Sequence, residues 1–177
     1  MVRLHKALPK VANGNPRLDL LPTYGLADFS SLVAWYFTKE RDMAELYAGY
    51  ALERGSKGEE AAILTIAIDG ALLAAQVPVE GDLWRQYVWS NRLHDEIAPF
   101  DAVAHLDDAP LLVGPILSKA TKAVGKHLEQ GDSYTCLRPA TFPSGNSTRS
   151  QHVVKNLPTI NEWSRHSNVW LESKGKI

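Results

Sequence analysis

Apolar and polar positions alternate in blocks that predict a series of short strands and helices. Apolar or β-branched runs typical of strands lie at 2–8, 32–37, 61–68, 102–104, 111–116, 133–137 and 151–155. Apolar residues at helical spacing, with capping residues or glycine at their ends, lie at 39–54, 81–93, 118–129 and 158–165. Because strands and helices follow one another irregularly, the pattern favours an α+β domain with a mixed, mostly antiparallel sheet over a doubly wound fold.

The size and composition of the chain fit one folded domain over residues 1–177. Of the 177 residues, 45% are hydrophobic and 22% are charged, which is the balance of a globular protein. We find no internal repeat, low-complexity tract or long linker that would divide the chain. The formal net charge of -1 argues against general nucleic-acid binding, because that requires a basic surface.

The cysteine content and the apolar runs limit which cellular locations and which metal sites are expected. Cys136 is the one cysteine, so no intrachain disulfide can form. With the six histidines dispersed along the chain, we expect no thiolate zinc site and no metal. The first residues lack the apolar run of a secretory signal, and no apolar stretch approaches the roughly 20 residues of a membrane span. We therefore expect a cytoplasmic protein without a membrane partner.

One aromatic segment carries most of the functional information. Tyr36 is predicted to end a strand, Thr38 to cap the following helix, and Tyr47 to lie on that helix. Both phenol rings could then face one cleft and stack on the two sides of a planar ligand. A cationic ring such as nicotinamide in NAD⁺ would gain about 0.5 to 2 kcal/mol from the ring quadrupoles. Ordinary core packing of both tyrosines is the alternative interpretation.

This segment resembles a known family. Its Tyr-Phe-Thr, followed by Ala and by Tyr-Ala, is similar to the second signature of the ADP-ribosyltransferases of the His-Tyr-Glu class, which includes the poly(ADP-ribose) polymerases. The small microbial and fungal members are the most similar, and Val113-Gly114-Pro115-Ile116 is similar to a Val-Gly-Pro segment of microbial relatives. The resemblance implies an ADP-ribosyltransferase-like split sheet, mostly antiparallel, with flanking helices. It also implies that Tyr36 and Tyr47 clasp nicotinamide.

The resemblance implies two further site residues. His5 would be the histidine that anchors the nicotinamide ribose, although the Gly and Thr that follow it in the family are absent. Gln151 would take the place of the third signature residue and orient the ribose 2′-hydroxyl, and Glu162 is a fallback carboxylate. A neutral glutamine can hydrogen-bond ribose but stabilises an oxocarbenium-like transition state less than a carboxylate does. With Thr38, these residues and the two tyrosines form the predicted NAD⁺ site.

The resemblance implies a toxin-like transfer of ADP-ribose from NAD⁺ to an unidentified acceptor, with release of nicotinamide. The acceptor could be a protein, a nucleic acid or a small molecule. Two alternatives on the same fold stay open: an NAD⁺ glycohydrolase, which uses water as acceptor, and an inactive module that binds NAD⁺, ADP-ribose or a protein. A third is an unrelated α+β interaction domain in which the tyrosines are core residues.

Overall fold

The structure is a computed structural model that describes residues 18, 23–24, 27–54, 60–118, 121–141, 148–166 and 168–176. The helices in this part are α1 (Arg41–Arg54), α2 (Gly70–Leu73), α3 (Gly81–Arg92), α4 (Thr121–Glu129) and α5 (Leu157–His166). The strands are β1 (Thr23–Tyr24), β2 (Val33–Phe37), β3 (Glu60–Ala67), β4 (Val77–Pro78), β5 (Leu111–Pro115), β6 (Ser150–Val154) and β7 (Asn168–Lys176). None of the helices in the described ranges is both long enough and apolar enough to cross a membrane.

The strands form one five-stranded and one two-stranded sheet. The larger sheet has the order β1-β2-β6-β5-β4, and only its β4–β5 pair is parallel. The smaller sheet pairs β3 with β7 in antiparallel fashion. The prediction of an α+β class with a mixed, mostly antiparallel sheet is therefore confirmed.

Strand β6 lies at the centre of the larger sheet and is buried on both faces. Val153 packs into a core cluster with residues of α3 and α4, whereas Val154 packs into a second cluster with residues of α5. Side chains on a strand alternate between the two faces of a sheet. Gln151 therefore shares the α3 face with Val153 and with Tyr36, which is the register partner of Val153.

Two predicted strands are short 3-10 helices instead. Residues 102–104 lie within a 3-10 helix over Asp101–Leu106, and residues 133–137 contain another over Tyr134–Cys136. In the first, the buried residues Val103 and Leu106 are three positions apart, which is the period of a 3-10 helix and not of a strand. In the second, the hydroxyl of Ser133 accepts the backbone N–H of Thr135 and starts the turn.

The other predicted elements agree with the structure except at their ends. Helices α3 and α5 and strands β2, β3, β5 and β6 lie where they were predicted. Helix α1 begins at Arg41, so Thr38 is not its cap; the carbonyl of Glu40 accepts the N–H of Ala44 instead. Helix α4 begins only at Thr121. Strand β7 was not predicted, and the strand predicted at 2–8 lies outside the described residues.

Candidate functional site

A buried carboxylate organises the α3 face of the larger sheet. Asp28 is 3% exposed and lies in the segment that precedes β2. Its Oδ1 accepts the Nε–H of Arg92 at 2.9 Å. Its Oδ2 accepts the backbone N–H of Leu117 at 2.8 Å and the Nε2–H of Gln151 at 2.9 Å. Asp28 therefore links α3, the end of β5 and the start of β6 at one point.

The structure places Gln151 in this network. The side chain is 7% exposed, and Nε2 donates to both the Asp28 carboxylate and the Pro115 carbonyl, the latter at 3.1 Å. Both N–H groups of the carboxamide thus bond within the protein. A ribose hydroxyl could then bond only to the carboxamide oxygen.

Tyr36 lies beside the same carboxylate. Its hydroxyl accepts the backbone N–H of Phe29 at 3.2 Å, and its ring packs against the core cluster on the α3 side. Burial raises the pKa of the phenol, and the negative charge of Asp28 raises it further. Tyr36 is therefore a neutral phenol whose position is tied to the segment that carries Asp28.

Tyr47 lies on helix α1, near enough to Asp28 for that charge to act on its phenol. Its side chain is 36% exposed, and its ring lies edge-on to that of Tyr50 at 6.4 Å between centroids. Burial of the hydroxyl raises its pKa, and the charge of Asp28 again contributes in the same direction.

Glu40 is a carboxylate at this site that sequence reasoning missed. It bonds to the hydroxyl of Thr38 and accepts the hydroxyl of Ser150 at 2.8 Å. Partial burial alone would raise the pKa of Glu40, but the hydrogen bonds from Thr38 and Ser150 outweigh it and lower the pKa. Glu40 is therefore ionised at neutral pH. It is bonded to Ser150, the residue that precedes Gln151. Its position at the start of the helix predicted over 39–54 suggested only a residue of the first helical turn.

Thr38 does not cap α1, but its hydroxyl joins the end of β2 to Glu40 and to the start of β6. Its hydroxyl donates to the Ser150 carbonyl at 3.1 Å and accepts the backbone N–H of Glu40 at 3.2 Å. These bonds hold the end of β2 against the start of β6. Thr38 thus positions Glu40 beside the strand that carries Gln151.

A small cleft opens at the end of β5 and the start of β6, beside Ser150, which bonds Glu40. Its volume is about 170 Å³, and it is lined by Glu80, Val113, Gly114, Pro115, Thr148, Arg149 and Ser150. The Arg149 guanidinium lies against helix α1, with Nη2 at 3.2 Å from a carboxylate oxygen of Asp42. Pockets that enclose small-molecule ligands measure about 300 to 1,000 Å³. The cleft could therefore enclose only part of a dinucleotide.

The remaining predicted site residues do not join the group. His5 lies outside the described residues. Glu162 is exposed on α5, between Ile160 and Trp163, which pack on the opposite face of the larger sheet from Tyr36 and Gln151. Tyr36 and Gln151 therefore lie on one face of the larger sheet, and Glu162 belongs to the helix on the other face.

His152 provides a pH-dependent prediction about the strand that carries Gln151. The imidazole is buried and its Nδ1 has no hydrogen-bond partner in the described structure. Burial lowers the pKa of His152 and the charge of Lys39 lowers it further, whereas Glu40 opposes them. Because the unfolded chain keeps the ordinary pKa of 6.5, it takes up a proton first as the pH falls. Stability present above pH 6.5 is therefore lost below it, until the folded-state pKa is reached.

We expect the free energy of unfolding in urea to fall between pH 7.5 and 5.5, and to fall less in a His152→Phe variant. The exposed His105, changed to Gln, is the matched control and should keep the wild-type pH dependence. Glu40, whose pKa is lowered, stays ionised across this window. An identical slope in wild type and His152→Phe would contradict the burial argument.

No protein-family model matches the chain, and neither a curated protein nor a solved structure does. The basis for a function is therefore the geometry around Asp28. That geometry combines the Asp28 carboxylate with the Gln151 carboxamide, the Tyr36 phenol and, at the start of β6, Glu40 bonded to Ser150.

Proposed function

We propose that the protein binds NAD⁺ as an ADP-ribosyltransferase does, with nicotinamide between Tyr36 and Tyr47 and its ribose toward Gln151. The observation that carries the proposal is that each of these three residues interacts with Asp28 or with the residue after it, Phe29. Gln151 bonds Asp28 directly, Tyr36 bonds the backbone of the next residue, Phe29, and the charge of Asp28 raises the pKa of both phenols. Gln151 and Tyr36 are thus tied to the segment that carries Asp28, and Tyr47 lies within reach of the charge of Asp28.

The sheet architecture supports the same proposal. The strands divide between a five-stranded sheet and a two-stranded sheet, with α3 and α4 on one face of the larger sheet and α5 on the other. An ADP-ribosyltransferase-like split of the sheet is consistent with that division. Gly114, in the Val-Gly-Pro segment, is the register partner of Gln151, so both resemblance segments meet at the proposed site.

Glu40 gives the proposed site the negative charge that Gln151 lacks. Breaking the N-glycosidic bond of NAD⁺ develops positive charge on the ribose, and a nearby carboxylate stabilises that charge. Glu40 bonds the hydroxyls of Thr38 and Ser150, and Ser150 precedes Gln151 in β6. We infer that transfer of ADP-ribose to a protein, nucleic-acid or small-molecule acceptor, or to water, would depend on Glu40.

The second candidate is a module that binds NAD⁺ or ADP-ribose without turnover. The bonding of Gln151 favours it, because both N–H groups of the carboxamide are used within the protein. A glutamate at this position would face the Asp28 carboxylate and the Pro115 carbonyl, so a simple change of Gln151 to an acid would not create a working catalytic residue.

Replacing Tyr47 with alanine is expected to weaken NAD⁺ binding by about 1 to 3 kcal/mol, the cost of losing one stacking ring. Because the side chain is 36% exposed, its removal should leave the fold intact. Calorimetric titration with NAD⁺ measures the affinity, and nicotinamide release in the same samples reports turnover. Release in the wild type supports a transferase or glycohydrolase, and binding without release supports the module.

Leu46→Ala is the matched control, because Leu46 is 40% exposed on the same helix and is not part of the proposed sandwich. It should leave the affinity for NAD⁺ unchanged. If wild type shows no binding at millimolar NAD⁺, or if Tyr47→Ala binds as tightly as wild type, the proposed function is wrong and the tyrosines are packing residues.

A further inference from the structure

We propose a second site with a different ligand from the first. It binds a zinc-type divalent cation through His127, Asp132 and Cys136. The imidazole nitrogen, carboxylate oxygen and thiol sulfur of these residues all lie within 4.8 Å of one another. The three donors come from the end of α4, the following loop and the 3-10 helix at Tyr134–Cys136.

The local backbone holds the three donors in place. Helix α4 ends at Glu129, and Gly131, with a φ of 78°, turns the chain after it in a conformation that glycine adopts without strain. The backbone N–H of Asp132 then donates to the His127 carbonyl at 2.9 Å. The N–H of Cys136 donates to the Ser133 carbonyl at 3.1 Å, and the following residue, Leu137, is fully buried. The cluster is therefore arranged by secondary structure and not by flexible side chains alone.

The distances suit coordination of a metal ion. Zinc bonds of about 2.0 to 2.3 Å in a tetrahedron separate the ligand atoms by about 3.3 to 3.7 Å. The described separations of up to 4.8 Å require only small side-chain rotations to reach that range. The Nδ1 of His127 lies 2.7 Å from a carboxylate oxygen of Asp132. A cation that binds here would take the place of the proton shared by these two atoms.

The same distances argue against a nucleophilic Cys-His-Asp relay. In a relay, thiol and carboxylate bond opposite edges of the imidazole, so they are separated by two hydrogen bonds of about 3 Å and the width of the ring. The sulfur of Cys136 and the carboxylate oxygen of Asp132 are closer to each other than that, at 4.8 Å or less. Their convergence on one point is the geometry of chelation.

The donor set selects the cation. Thiolate and imidazole favour Zn²⁺ and its neighbours, whereas Mg²⁺ and Ca²⁺ prefer oxygen ligands alone. On binding, the Cys136 thiol releases its proton to solvent, and the thiolate and the Asp132 carboxylate together balance the two positive charges of the ion. Three protein ligands leave a fourth position for water on the exposed side of Asp132.

The first test is protection of the thiol. Because Cys136 is the one cysteine of the chain, its alkylation by iodoacetamide reports this site without ambiguity. We expect Zn²⁺ at micromolar excess to slow alkylation of the intact protein at least tenfold, and a chelator to restore the rate. Co²⁺ should give the near-ultraviolet charge-transfer band of a cobalt–thiolate bond. Equal alkylation rates with and without Zn²⁺ would overturn the proposal and leave a reactive thiol.

Variants assign the ligands. Cys136→Ser and Asp132→Asn keep the size of the side chains and should each weaken Zn²⁺ affinity by more than about tenfold, given that even outer-shell partners contribute about 10- to 100-fold. His94→Ala removes an exposed histidine outside the cluster and should bind Zn²⁺ like wild type. At about 100 times the dissociation constant, Zn²⁺ should raise the Tm of wild type by about 5 °C or more. Wild-type affinity in folded Cys136→Ser, judged by circular dichroism, would overturn the assignment.

Discussion

Replacing Asp28 with alanine is expected to destabilise the fold by about 3 to 5 kcal/mol, because it leaves a buried guanidinium without its carboxylate. The side chain of Arg92 is 17% exposed and cannot turn fully into solvent. The Leu117 N–H and one N–H of Gln151 would also lose their acceptor. Urea unfolding followed by circular dichroism measures the change in the free energy of unfolding.

Two control variants distinguish the effect on stability of losing a buried charge from the effect of removing any acidic side chain. Asp28→Asn keeps one acceptor oxygen but loses the charge, so its cost should lie between wild type and alanine. Asp82→Ala breaks an exposed pair, in which Oδ1 lies 2.6 Å from Arg85, and should change stability by less than about 1 kcal/mol. If Asp28→Ala were as stable as Asp82→Ala, the carboxylate would not be the organising group of the site.

Replacing Gly114 with alanine is expected to destabilise the fold by about 3 kcal/mol, at the upper end of overpacking costs. A Cβ at this position would collide with the backbone carbonyl of Val79 and would lie 2.7 Å from the ring Cζ of Phe29. The carbonyl cannot move freely, because the Val79 N–H is bonded to the Val113 carbonyl at 2.8 Å in the parallel β4–β5 register. Relief would have to come from Phe29, which is next to Asp28. Thermal or urea unfolding measures the loss.

Gly125→Ala is the matched substitution, since a Cβ there meets no atom within 4 Å and the residue lies inside helix α4. It should stabilise the protein by about 0.5 to 1 kcal/mol through the better helix propensity of alanine. Equal effects of the two substitutions would show that the close approach at Gly114 is relieved without cost.

Much of the secondary structure could be predicted because its signals are local. Long apolar runs predict β2, β3, β5 and β6, and helical spacing predicts α3 and α5. The mistakes fall where a local pattern is short or ambiguous. Residues 102–104 and 133–137 are too short to show a period, and β7 carries charged residues among its apolar ones. The pairing of β7 with β3 joins two distant parts of the chain, and no local sequence pattern indicates it.

The candidate site was only partly predictable. Aromatic residues and a resemblance gave Tyr36, Tyr47 and Gln151, but Asp28 and Glu40 acquire their meaning only when distant strands meet. Asp28 bonds Gln151, far along the chain, and Glu40 bonds Ser150. A buried acid and a surface acid look the same in a sequence. The donors His127, Asp132 and Cys136 are close in sequence, but a single cysteine did not suggest a metal.

The strand order of the larger sheet has a consequence for how the chain acquires its structure. Strand β6 lies between β2 and β5 but follows both in the sequence, and the bond from Thr38 to the Ser150 carbonyl spans 112 positions. During synthesis, β2 and β5 therefore have unpaired inner edges until β6, which pairs with both, leaves the ribosome. Closing so long a loop is slow, and unpaired edges invite association with other chains. The insertion of β6 between two earlier strands thus leaves the nascent protein open to such association until β6 has emerged.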